Sequence, residues 1–185
     1  MKCDGPRTIR DIRVKPLPLV QLQTGDFFTK DTSLREPCKL VTEFNDSLKK
    51  DMAALLATFH SHKIAVGLAA PQVGIQSRVC VVNVSKNKAL PNKLLINPKI
   101  TRQSTQTETK FESCMSLPDV KGKVERSLSV KVEYEDEKGV RREIEAEGFL
   151  ARVLQHEIDH LNGILYVDQM SLPEKLEPTD IFKDD

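Results

Sequence analysis

Apolar residues recur at three- and four-residue steps in one stretch of the chain and at alternate positions in another. Leu48, Met52, Leu55, Leu56 and Phe59 fall on one stripe, while Lys49, Lys50 and Asp51 lie off it. That spacing predicts an amphipathic helix with one face on a core, opened by Asn45 or Asp46 as N-cap and ending near His62. His60 and His62 at its C-terminal end read as solvent-facing residues favoured mildly by the helix dipole. From Leu128 the rhythm shortens. Leu128, Val130, Val132 and Tyr134 alternate with Ser129, Lys131, Glu133 and Glu135. A Gly-containing turn, "EDEKGV", and a return strand from Val140 to Ala146 complete a β-hairpin.

Elsewhere the pattern is coarser. "RVCVVNV" (78–84) and "LLINPKI" (94–100) are rich in Val and Ile and predict strands, with Cys80 as a packed core thiol. "GLAAPQVG" (67–74) is turn-like. Residues 1 to about 33 lack periodicity and carry Gly5, Pro6, Pro16, Pro18 and Gly25, so an extended arm is expected, with a short strand at "LVQLQ". In "FLARVLQHEIDHLNGILY" (149–166), Leu150, Val153, Leu154, Ile158 and Leu161 cover much of the helical circumference, which predicts a deep-lying helix. Asn162-Gly163 stops it, with Gly163 suited to the left-handed position. Strands with a central helix point to a single α+β domain, antiparallel sheets around that helix, and the amphipathic helix preceding it. The expected division is an arm over 1–33, a domain over 34–168 and a tail over 169–185.

Composition narrows the function. A chain of 185 residues supports one core, and 28 basic against 27 acidic residues give no global charge directed at nucleic acid or membrane. No run approaches the ~20 apolar residues of a membrane span. Asp4, Asp11, Pro16 and Pro18 interrupt the N-terminal segment, so no secretory signal is expected. Arg7, Arg10 and Arg13 with Thr8 faintly resemble a transit segment, which leaves organelle import open. Cys3, Cys38, Cys80 and Cys114 form no C-x-x-C pair, and without secretion disulfides are not expected. Cys114, in "FESCMSLP", then stands as core filler, nucleophile or metal ligand.

The deep helix carries the chemistry. His156 and His160 in "QHEIDH" are four residues apart and project from one face, so two imidazoles can close on one metal ion. Glu157 between them is a candidate general base. Burying His, Glu, Asp and His together is costly unless something compensates, and a divalent cation does so. A catalytic site needs a third ligand. No histidine follows His160, and the later glutamates Glu174 and Glu177 lie in a Pro-containing tail. That weakens a protease reading and turns attention upstream, to Cys114.

In that order and at those intervals, "GLAAPQVG", "ESCMSLP" and "QHEIDH" resemble the three motifs of peptide deformylases: G-x-G-L-A-A-P-Q, E-G-C-x-S and H-E-x-x-H. The likeness runs from about Leu34 to Leu165. It implies one divalent metal ion per chain, held by Cys114, His156 and His160; Fe²⁺ is the family's usual metal, and Zn²⁺ or Ni²⁺ are accepted. It implies Glu157 as proton carrier, and Gln72 with the backbone N–H of Met115 as donors to the oxyanion. The implied reaction removes the formyl group from the N-terminal formyl-methionine of new polypeptides and releases formate. The peptide would lie extended along Val66-Gly67 and Ser113, with Val66, Phe149 and Val153 lining a methionine pocket. An ion pair between Asp159 and Arg126 would orient the metal-bearing helix. Implied partners are nascent formylated peptides, with transient ribosome contact, no membrane and no sequence-specific nucleic acid, in a bacterial-type cytoplasm.

The sequence departs from the family at three places. Ser113 replaces the usual glycine, which matters if that position requires positive φ. Met115 replaces leucine where only an amide is needed. Lys121 stands where many members have arginine. The rival readings are an inactive metal-binding relative that holds peptide N-termini, and a zinc endopeptidase.

Overall fold

The computed structural model describes residues 8–9, 12–23, 26–28, 32–84, 92–172 and 175–181. Its elements in chain order are α1 (Asp46–Ser61), β1 (Gly67–Ala69), β2 (Val79–Val82), β3 (Lys93–Gln103), β4 (Thr107–Cys114), β5 (Leu117–Ser127), β6 (Ser129–Glu135), β7 (Arg141–Glu147), α2 (Gly148–Leu161) and β8 (Glu177–Pro178). The fold is α+β, as expected. Asn45 caps α1, its side-chain oxygen accepting from the Leu48 N–H at 3.1 Å. That bond satisfies one of the donors a helix start leaves unpaired. The apolar stripe of α1 packs with Leu68, Val79, Val81 and Ile96 in one core cluster.

Two antiparallel sheets flank α2. Five strands pair in the order β1-β2-β3-β6-β7, and three pair as β4-β5-β8. Leu154, Ile158 and Leu161 of α2 pack with Cys80, Leu95, Val130 and Val132 of the larger sheet. The opposite side of α2 turns Arg152, Gln155, His156 and Asp159 toward the β4–β5 hairpin. The helix is apolar on one side and buried polar on the other, which explains its dense mixture of both residue types. At its end Gly163 adopts φ 74°, and a Cβ there would lie 2.3 Å from the Arg35 carbonyl oxygen.

Three local expectations change. "LVQLQ" forms no strand. It is extended, but its backbone bonds go alternately to two loops, Val20 N–H to Gln72 O at 2.7 Å and Leu22 N–H to Ser116 O at 2.8 Å, so no ladder with one neighbour develops. "GLAAPQVG" is not all turn: Gly67–Ala69 pairs with β2, and a 3₁₀ turn over Ala70–Val73 follows, closed by Gly74 at φ 77°. The long β4–β5 hairpin was not expected at all.

Candidate metal centre

Two elements bring the three donors together. β4 ends at Cys114, and successive turns of α2 present His156 and His160. One ligand atom from each of these residues lies within 4.8 Å of the others. The Cys114 Sγ to His160 Nε2 distance is 3.3 Å, and the two imidazole rings meet edge-on with centroids 4.9 Å apart. His156 Nδ1 bonds Glu112 Oε2 at 2.9 Å, which leaves its Nε2 for the cluster. A thiolate and two imidazoles suit a borderline divalent cation such as Fe²⁺, Zn²⁺ or Ni²⁺.

The rest of the pocket is built to match. His160 Nδ1 and Glu157 Oε2 are the two buried side-chain polar atoms without a hydrogen-bond partner among the described residues, and both belong to this centre. An unpaired buried polar atom is costly; Glu157 lines the cavity, where a reactant can reach its oxygen, whereas His160 faces the cluster through Nε2 and not through Nδ1. Burial pushes the Glu157 carboxyl up to about 7; the neighbouring His156 pulls it down and Glu112 up. Burial and the nearby His156 and Arg126 charges hold His160 well below the usual imidazole range. His156 moves the other way: burial lowers it, but its contacts with Cys114 and Glu112 outweigh that and raise it well above.

Gln72 is fixed at both ends. Its Oε1 accepts from the Ala69 N–H at 2.9 Å, so its Nε2 must face the centre, 3.3 Å from Cys114 Sγ and 3.2 Å from Ser116 Oγ. The Ser116 N–H also points at Sγ, at 3.4 Å. Val66, Gly67, Ser113, Met115, Phe149 and Val153 line one cavity of about 330 Å³, together with Gln72, Cys114, His156 and Glu157. His160 lies behind this lining, almost fully buried. Another crevice, beside Arg102, Lys131 and Glu147, brings none of these residues together. Ser113 of β4 pairs with Lys121 of β5 just before a register shift between Ser113 and Cys114, and it is absent from the positive-φ residues, so the position does not demand the left-handed backbone that favours glycine.

Two residues escaped the sequence reading. Glu112 accepts from His156, from Arg126 Nε at 3.0 Å and from Arg152 at 2.7 Å, all in buried surroundings. Arg126 in turn pairs with Asp159, the ion pair the resemblance implied. The signals were present: Glu112 is two residues from Cys114 on one strand face, and Arg152 is one helical turn before His156.

A helix-borne H-E-x-x-H, a strand-borne sulfur and an apolar cavity opening on both describe a metal-dependent hydrolase with one ion. The polypeptide deformylase family model matches residues 27–176. Peptide deformylase from Thermotoga maritima is 42% identical over 146 residues, 79% of this chain and 86% of the relative. The Prochlorococcus marinus (strain NATL1A) enzyme is 39% identical over 161 residues, 86% of this chain and 77% of the relative. The crystal structure of the Synechococcus elongatus peptide deformylase in complex with actinonin superposes with a TM-score of 0.76 at 39% identity, covering 86% of this chain and 83% of that one. The chain belongs to the peptide deformylase family and is a hydrolase that removes N-formyl groups. No helix among the described residues is long and apolar enough to cross a membrane.

Proposed function

We propose that Cys114, His156 and His160 hold one divalent cation, with Fe²⁺ the expected metal and Zn²⁺ or Ni²⁺ able to replace it. Around it, Glu157, Gln72 and the Met115 amide hydrolyse the formyl group of formyl-methionyl peptides. The observation that carries this reading is the three-donor cluster beneath a cavity that Glu157 also lines with a buried, unpartnered oxygen. When bound, the cation supplies Lewis acidity, acidifying water and polarising a carbonyl oxygen.

The protein's own groups do the rest. Glu157 takes a proton from the attacking water and passes it to the departing amine; the burial that raises its carboxyl favours holding that proton between the two transfers. Gln72 Nε2 and the Met115 N–H donate to the oxyanion that forms on the formyl carbon; Gln72 is already oriented by Ala69. Val66-Gly67 and Ser113 hold the peptide backbone extended between the edges of β1 and β4. Val66, Phe149 and Val153 enclose the methionine side chain.

The substrates are nascent chains met in transient contact with the ribosome, in a reducing, cytoplasmic setting. The test is anaerobic preparation, metal analysis and formate release from a formyl-Met tripeptide, with Glu157→Ala alongside. About one metal per chain and a collapse of turnover with metal retained are expected. Stoichiometric metal without formate release would sink the catalytic assignment.

A further inference from the structure

Phe111, Phe149 and Ile181 are large apolar side chains exposed by 41%, 57% and 54%, and all three border the cavity above the metal centre. Scattered surface hydrophobics are ordinary; three gathered at one opening mark a surface that receives something. Phe111 is held in place, because Lys121 and Lys123 lie 4.8 and 5.3 Å from its ring centroid.

Ile181 comes from an unexpected part of the chain. β8 pairs antiparallel with β5, Pro178 opposite Val120, and the Thr179 N–H bonds the Asp119 carbonyl oxygen at 2.9 Å. Continuing in that direction, the chain runs back along β5 toward Leu117 and the turn that carries Met115. That path delivers Ile181 to the cavity mouth. The family match ends at residue 176, so this wall is built from outside it.

We propose that Ile181, with Phe111 and Phe149, forms an apolar rim that grips the side chains directly following formyl-methionine and makes this enzyme favour peptides with apolar residues there. The inference rests on the deformylase reading. The occupant follows from continuity. A peptide whose first residue fills the inner cavity must leave across this rim, and its next side chains then cover apolar surface otherwise exposed to water. Burying one aliphatic side chain in this way corresponds to roughly a tenfold change in affinity.

The test compares steady-state formate release from formyl-Met-Leu-Leu and formyl-Met-Ala-Ser by the metal-loaded full chain. The parent should favour the first peptide by roughly tenfold in kcat/KM, carried by KM. Ile181→Ser should bring the ratio close to one by raising KM for formyl-Met-Leu-Leu, and Ile181→Leu should restore it. Thermal unfolding of each variant separates this from a folding defect, which a half-exposed position does not threaten. An unchanged ratio in Ile181→Ser, or a parent ratio already near one, overturns the rim while leaving deformylation intact. A parent that releases no formate from either peptide overturns the deformylase reading itself, and the rim with it.

Discussion

Gly67 and Glu157 occupy the same space to within a methyl group: a Cβ built on Gly67 would stand 2.3 Å from Glu157 Oε1 and 2.7 Å from its Cδ. The edge strand β1 thus forms the floor on which the carboxylate rests, and glycine is required there for close approach. Glu157 is buried, and a Cβ at this distance leaves its carboxylate no room in its present position. Gly67→Ala should therefore displace the carboxylate without touching a metal donor. The expected result is a loss of about 100-fold in kcat, the lower range for a general acid–base group, with metal stoichiometry unchanged. Initial-rate formate release and metal analysis on one preparation check it; near-parental kcat in Gly67→Ala would show that Glu157 is not positioned by this contact.

What the sequence disclosed divides along a physical line. α1, the β6–β7 hairpin and α2 were legible because each buries one apolar face against a core, leaving a rhythm of 3.6 or 2. His156 and His160 were legible as candidate donors because two ligands four residues apart share one helix face, whereas Cys114 joined them only through the resemblance; the structure brings all three together. The β4–β5 hairpin was hidden because much of its buried face is polar. Glu112 and Arg126 sit inward along with Leu117 and Val124, and most of the remaining strand positions are Lys, Glu, Thr, Ser and Gly. Alternation of apolar and polar residues cannot report a strand whose inner face carries ions. The same fact concealed Glu112 and Arg152: charged residues read by default as surface, and these are interior only because they neutralise each other.

Glu112 joins three groups, His156, Arg126 and Arg152, so its removal should have two separable effects. Burial alone would raise its pKa, but His156 and Arg126 overcome that and hold the carboxyl well below the usual range. In Glu112→Gln two buried guanidinium groups lose their shared carboxylate, and unfolding free energy should fall by about 3 kcal/mol. His156 also loses the acceptor that fixes its ring, and metal affinity should drop on the order of 10- to 100-fold. Because the folded pKa lies below the unfolded one, this carboxylate stabilises the fold above about pH 4 and the contribution fades as pH falls further. Urea titrations at pH 7 and at about pH 3, below the unfolded carboxylate pKa, with a competitive metal titration at pH 7, check both effects; a difference between parent and variant that does not shrink on acidification contradicts the charge argument.

Ser113 replaces a glycine common in the family, and although the β4–β5 register shifts directly after it, Ser113 has no positive φ that would require glycine. Ser113→Gly should accordingly lower stability by about 0.5–1 kcal/mol, the entropy cost of glycine within a strand. It should raise kcat/KM for formyl-Met-Ala-Ser by less than about threefold. A larger gain in kcat/KM would mean that the serine side chain, and not the backbone, obstructs the peptide.

The two proposed oxyanion donors lie on separate loops, and residues 20–22 tie those loops together. The Val20 N–H bonds the carbonyl of Gln72, the Leu22 N–H bonds the carbonyl of Ser116, and Gln21 Nε2 reaches the carbonyl of Met115 at 3.1 Å. Leu22 is buried in the cluster that also contains Cys114 and Leu117, which anchors the segment. Oxyanion stabilisation depends on donors held before the reaction, so a shift of either loop should cost kcat more than substrate affinity. Gln21→Leu removes one bond, worth about 1 kcal/mol or roughly fivefold. It should lower kcat by about that factor with KM and metal content little changed. Deleting residues 1–23 removes all three bonds and uncovers Leu117 beside Cys114; kcat should fall further than in Gln21→Leu, and unfolding should begin at lower temperature. If Gln21→Leu raises KM and leaves kcat intact, the segment touches substrate instead of steadying the donors.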